Sequence, residues 1–86
     1  MTVREIATEL ELIILTGMEE LDRLVTGGYA SDLLSNVMAN ALPDNVWVTM
    51  QAHQNIVAVA ALGGLAAVII SGGVIVSQEV IRKADE

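Results

Sequence analysis

Few residues in this chain are equipped for chemistry. His53 is the sole histidine, and Ser31, Ser35, Ser71 and Ser77 are the serine hydroxyls. Nucleophilic catalysis needs a hydroxyl or thiol beside a positioned base. None of the four serines stands in a G-x-S-x-G turn, and one histidine would have to serve them all. Asp22 and Asp32 would form an acid/base pair only if the fold joined them, and a chain with eleven acidic residues carries most of them as solvated surface. The absence of cysteine removes a thiol nucleophile, a thiolate zinc site and a disulfide framework. His53 has neither a second histidine nor a close acidic cluster with which to share a metal. No cofactor or metal is expected. Catalysis by His53 with a carboxylate ranks last among the functions considered.

Binding chemistry is better represented, in two stretches. Asp22 and Arg23, then Thr26, Gly27 and Gly28, then Ser31 and Asp32 read as a strand end, a glycine turn and a helix start. Amides converging at such a turn cradle a phosphate or carboxylate, with Arg23 as the anion contact. The competing reading is structural: the glycines serve a left-handed backbone, and Asp22 pairs locally with Arg23. The G-x-x-x-x-G-K-[ST] spacing of a P-loop is absent. Thr49, Gln51, His53 and Asn55 form the second stretch, between a strand and a helix, where open α/β sheets hold ligands. They would supply hydrogen bonds, although a lone histidine there is more often a cap or a loop residue.

The elements that must position these residues follow from pattern. Thr2 and Glu5 have capping-box spacing and predict a first helix to about Glu9. Leu12–Leu15 is a short apolar run ended by Thr16 and Gly17, which reads as a buried strand. Met18–Asp22 reads as acidic surface. Leu33, Leu34, Val37, Met38 and Ala41 share one helical face, opened by Ser31 and Asp32 and stopped by Pro43 and Asp44. Val46–Met50 lacks alternation and predicts a strand buried on both faces, with Trp47 in the core. A helix capped by Asn55 runs to about Leu62, and Ala66–Ile70 is the next buried strand. Ser77 caps a last helix that turns Val80, Ile81 and Ala84 inward and pairs Glu79 with Lys83. The sum is a three-layer α/β fold: an open, mostly parallel or mixed sheet flanked by helices.

Eighty-six residues make a single domain with a thin core, yet 53% of them are hydrophobic. Some of that apolar surface is expected to face a second copy or another protein, with a homodimer as the default. Four basic residues (Arg4, Arg23, Arg82 and Lys83) against a net charge of −7 exclude a nucleic-acid role. A small anion held by one arginine remains compatible. Cysteine usage fits a reducing cytoplasm. From Ile56 to Val76 the chain carries no charge and is long enough to cross a bilayer. Gly63 and Gly64, and then Ser71, Gly72 and Gly73, divide that run into helix, turn, strand and turn, so no membrane span is expected.

Asp22, Arg23, Thr26, Gly27 and Gly28 supply the letters for which the DRTGG domain family is named. The chain resembles that family from about Val3 to Ala84, including Gly28–Ser35, Trp47–His53 and Asn55–Ala60. The resemblance implies a domain akin to the N-terminal domain of HPr kinase/phosphorylase. Such domains lie beside CBS domains in some inorganic pyrophosphatases, occur in some phosphotransacetylases, or stand alone, some near iron-hydrogenase genes. They are commonly homodimers, and a regulatory role, such as nucleotide sensing, is the family-level expectation. The family usually continues past the last helix with another strand and helix. A single domain over 1–86 would lack both, leaving an edge strand and part of a dimer surface open. A kinase activity is not implied, because the catalytic domain and P-loop of HPr kinase are missing from this sequence.

The leading expectation is a non-catalytic regulatory module with a pocket for a nucleotide or small anion near 22–32 and 49–55. The alternative is an interaction module that dimerises or docks on a larger enzyme, in which the glycine motif is a fold determinant.

Overall fold

The structure is a computed structural model that describes residues 1–72 and 75–85. The capping box forms as read. The Thr2 hydroxyl accepts from the Glu5 N–H (3.2 Å), the Glu5 carboxylate accepts from the Thr2 N–H (2.9 Å), and helix α1 spans Val3–Glu9. The Val3 and Arg4 amides, free at the helix start, donate to the carbonyls of Arg23 and Leu21. Leu24 thereby meets Thr2 in an isolated antiparallel bridge.

Three parallel strands make the sheet: β1 (Gly27–Ala30), β2 (Asn45–Thr49) and β3 (Ala67–Ile70), in the order β1-β2-β3. Helices α2 (Leu34–Asn40) and α3 (Asn55–Gly63) form the crossovers, and α4 (Gln78–Asp85) follows. The chain is α/β, with an open parallel sheet flanked by helices, as its pattern of elements implied. The register aligns Tyr29, Trp47 and Val68 across the sheet. Side chains at matched positions point to the same face. On that face Trp47 is fully buried, in a cluster with Val37 of α2, Ile56 and Val59 of α3, Leu65, and Val80 of α4. Val46 points to the opposite face and is buried too, so the central strand is covered on both sides.

Several local expectations are corrected. Leu12–Leu15 is not a strand: the segment pairs with nothing in the sheet, and Ile13 stands 86% exposed. A strand exists only through partners, and apolar composition does not supply them. Gly27 and Gly28 make no turn, since they open β1 with neither among the positive-φ residues. Among the described residues the left-handed glycines are elsewhere, at Gly17 after Thr16, at Gly64 closing α3 and at Gly72 after β3. Gly73, also read as turn, lies outside the described residues. Asp22 and Arg23 do not pair with each other. Leu33 and Met38 are exposed although they share a stripe with Val37: in the seven-residue α2 only Val37 is fully buried, while Leu34 and Ala41 pack partly against the core. Strand β3 is half-buried, having a neighbour on one side only. In α4, Val80 is buried but Ala84 is exposed, and Glu79 accepts from Gln54 (3.2 Å) in place of the expected Lys83.

The uncharged run from Ile56 is divided by the Gly64 turn into α3 and β3. Among the described residues, no helix is long and apolar enough to cross a membrane.

Candidate functional site

The structure separates the candidate residues into two groups at opposite ends of the sheet. A short strand such as β1 holds these ends on the order of 15 Å apart.

At the amino end, Arg23 precedes β1 and reaches across the strand entrances. Its guanidinium donates to the Asp44 carboxylate through Nε (3.0 Å) and Nη2 (2.8 Å), and to the Gly64 carbonyl (2.7 Å). The Asp44 N–H also donates to Gly64 O (2.9 Å). Thr26 adds a hydroxyl bond to the Pro43 carbonyl (3.3 Å). Gly27 passes so close to Asn45 that a Cβ there would lie 3.2 Å from the Asn45 Oδ1, whereas a Cβ on Gly28 would make an ordinary 3.6 Å contact with the Val46 carbonyl. These residues knit together the approaches to all three strands. Asp22 stays at the periphery, paired with Arg4 (3.2 Å) with both side chains largely exposed.

At the carboxyl end, Ser31 and Asp32 leave β1 beside the end of β2. The Asp32 carboxylate accepts from the Thr49 hydroxyl and from the Met50 N–H (2.7 Å each). The Met50 amide and then the Thr49 hydroxyl hold its pKa below the ordinary aspartate value, the small desolvation acting the other way. Gln51 donates to the Asp32 carbonyl (3.0 Å), and the Trp47 indole N–H donates to the Ser31 carbonyl (2.8 Å). The Ser31 hydroxyl accepts from the Leu33 N–H (3.1 Å), ahead of α2 rather than as its cap. The two exits are thus bound to each other as firmly as the entrances.

His53 and Asn55 lie at the start of α3. The expected cap is reversed there, because Nδ1 of His53 accepts from the Asn55 N–H (3.2 Å) while Asn55 is itself the first helical residue.

Sequence reasoning missed Asp44, Gly64 and Met50 as partners. Only proximity in the fold identifies them: Arg23 and Asp44 belong to separate turns, and no local spacing links them.

Two concavities lie near these groups. A shallow, open depression of about 290 Å³ at the carboxyl end is lined by Ser31, Asp32, Thr49, Met50 and Ser71, with Ala30 and Val48. This lining carries one carboxylate and no basic group. An apolar groove of about 110 Å³ runs between α2 and α3, lined by Val37, Met38, Ala41, Val59, Leu62, Gly63 and Leu65. Among the described residues, no group of three or more His, Asp or Glu side chains is placed to hold a metal.

These features define a small parallel α/β domain whose polar signature residues fasten its turns. A scan against known families, a search of curated proteins and a search of solved structures each return no match.

Proposed function

We propose that this chain is a non-catalytic regulatory module of the DRTGG kind that works by associating with protein, with a homodimer as its working form. The observation that carries this reading is the coexistence of engaged polar groups with bare apolar ones. Arg23, the cation offered for anion binding, already satisfies a carboxylate and a carbonyl. Meanwhile Leu62 beside the α2–α3 groove is 80% exposed and Met38 63%. Apolar side chains flanking a groove are the kind of surface that a partner covers. The glycine motif then acts as a fold determinant. A larger regulatory or enzymatic partner would dock on the same groove. Sedimentation across micromolar concentrations tests the homodimer: a concentration-dependent doubling of mass supports it, and a monomer throughout removes it.

A second reading, small-molecule sensing, is favoured by the depression around Asp32 and Thr49. Small-molecule sites usually begin at roughly 300 Å³, so this depression suits part of a ligand rather than a dinucleotide. Asp32 would repel a phosphate there and accept from a hydroxyl. A nucleotide would therefore engage through its ribose, with its anionic end directed away. Thermal unfolding with a panel of nucleosides and nucleotides tests this. A ligand at 100 times its dissociation constant adds about 2.7 kcal/mol of stability. No shift at millimolar concentration would leave association alone.

A further inference from the structure

We infer that Leu12–Thr16 is a docking segment, onto which a partner protein adds an extended stretch that is apolar at its centre and basic at both ends. The segment shares no residue with the lining of the α2–α3 groove, and the inference stands whether or not the chain dimerises.

The segment has the side-chain pattern of a strand without a strand's partner. From Glu11 to Thr16 the residues alternate between exposed and half-buried, the period of two that an extended chain gives. Glu11, Ile13 and Leu15 are the exposed set, and Leu12, Ile14 and Thr16 the half-buried one. Both ends are held. The Leu12 N–H donates to the Ala7 carbonyl (2.8 Å), the Glu20 N–H donates to the Gly17 carbonyl (2.9 Å), and the Thr16 hydroxyl meets the Asp85 carboxylate. Left-handed residues at Glu11 (φ 54°) and Gly17 (φ 79°) turn the chain on either side. Between them, the N–H groups of Ile13–Gly17 and the C=O groups of Leu12–Thr16 make no backbone hydrogen bond among the described residues. Backbone groups left in this state bond to water or to an added strand.

Charge identifies the occupant. From Glu5 to Asp22 the chain has six acids and no lysine or arginine. Glu9, Glu11, Glu19 and Glu20 bracket the segment, all of them exposed, and none is in an ion pair among the described residues. A second copy would bring the same acids against these, so it is the wrong occupant. A foreign stretch with lysine or arginine at each end complements them, and its apolar centre covers Ile13 and Leu15. Main-chain hydrogen bonds would then supply affinity, and the flanking charges would supply register and partner choice. The edges of β1 and β3 are open as well. Neither has charge with which to choose a guest: β1 is Gly27–Ala30, and no Asp, Glu, Lys or Arg occurs from Asn45 to Gln78 around β3.

The probe is a dye-labelled peptide with a Val-Ile-Val-Ile centre and paired lysines at each end, followed by fluorescence anisotropy. It should bind the intact chain, less tightly as salt rises, and should slow hydrogen exchange at Ile13–Gly17. The same peptide with glutamates in place of the lysines should not bind. With its central amides N-methylated it keeps every charge but loses its donors, and should bind about tenfold more weakly or worse. Ile13 is exposed, so Ile13→Lys should fold as the parent does and lose the peptide. If that variant unfolds, the methylated peptide decides. No binding at millimolar peptide overturns the inference. Equal binding of the methylated peptide overturns it too, since charge attraction alone would then explain the contact. So does protection that falls on the α2–α3 groove, or on the β1 or β3 edge, in place of Ile13–Gly17. Sedimentation of the chain without peptide bears on the homodimer alone, so the two readings fail separately.

Discussion

Arg23 and Asp44 meet in a two-nitrogen contact of 2.8 and 3.0 Å on one carboxylate oxygen, and Arg23 continues to the Gly64 carbonyl at 2.7 Å. Asp44 sits at φ 65°, a left-handed backbone that costs a residue with a side chain about 1 kcal/mol. The arginine holds this turn in place against the turn that closes α3. The side chain thereby reinforces the Asp44 N–H bond to the Gly64 carbonyl (2.9 Å) that joins the entrances to β2 and β3.

Removing that side chain should therefore lower stability rather than a specific affinity. The pair is partly exposed, at 35% for Arg23 and 45% for Asp44, so screening reduces its value. Arg23→Ala is expected to lose about 1–2 kcal/mol in urea unfolding. Arg23→Lys should recover only part of this, because an ammonium does not present the planar fork of a guanidinium. An Arg23→Ala variant as stable as the parent would show that the staple does not hold the turns.

The two glycines of the signature should behave differently. Both have negative φ, so alanine is sterically compatible with the backbone at each. Alanine at 28 meets only an ordinary contact and should be neutral or stabilising by up to about 1 kcal/mol, through a less flexible unfolded chain. Alanine at 27 must displace the side chain of Asn45, a buried residue, and should be the less stable variant. Paired thermal melts give the order, and Gly27→Ala melting above Gly28→Ala would contradict it.

Trp47 fills the core and donates to Ser31 at 2.8 Å. Trp47→Phe keeps an aromatic ring but leaves that carbonyl without its donor and opens space beside Val37. Together these should cost about 2–4 kcal/mol. Denaturant unfolding followed by circular dichroism measures it, since the variant has no tryptophan left for fluorescence. A loss under 1 kcal/mol would mean the indole bond is dispensable.

Acid should weaken the carboxyl-end junction. The Asp32 pKa is lowered in the folded chain by the Met50 amide and the Thr49 hydroxyl. Between the folded and the ordinary unfolded values the unfolded chain binds more protons, so stability rises with pH in that window. This contribution is complete above the ordinary aspartate range and fades as pH falls through the folded value. Glu5, lowered by its bonds with Thr2, adds to the same acid limb. Asp32→Asn should flatten part of that limb when urea midpoints are compared at mildly and strongly acidic pH. An unchanged pH profile in Asp32→Asn would count against the role given to this carboxylate.

The capping box of α1, the burial of β2 and the turn at Gly64 were legible from single short windows, because each depends on neighbours within a few residues. Leu12–Leu15 was not. Its composition suits a strand, but a strand is a pairing, and the sheet takes Gly27–Ala30 beside β2 instead. The ion pairs were misread for a related reason. Adjacency suggested Asp22 with Arg23 and helical spacing suggested Glu79 with Lys83, while the fold supplies Arg4, Asp44 and Gln54 as the actual partners.

The sequence by itself determined the class of fold, the order of elements from α2 onward, Trp47 as core and the poverty of catalytic groups, since periodicity, capping and residue inventory are local properties. The tertiary structure decided what the signature residues do. It placed Arg23 and Asp32 at opposite ends of one sheet and engaged each with residues distant in sequence. A cation reads as a ligand contact until the fold brings a carboxylate within 3 Å of it, and that approach is written in no local spacing.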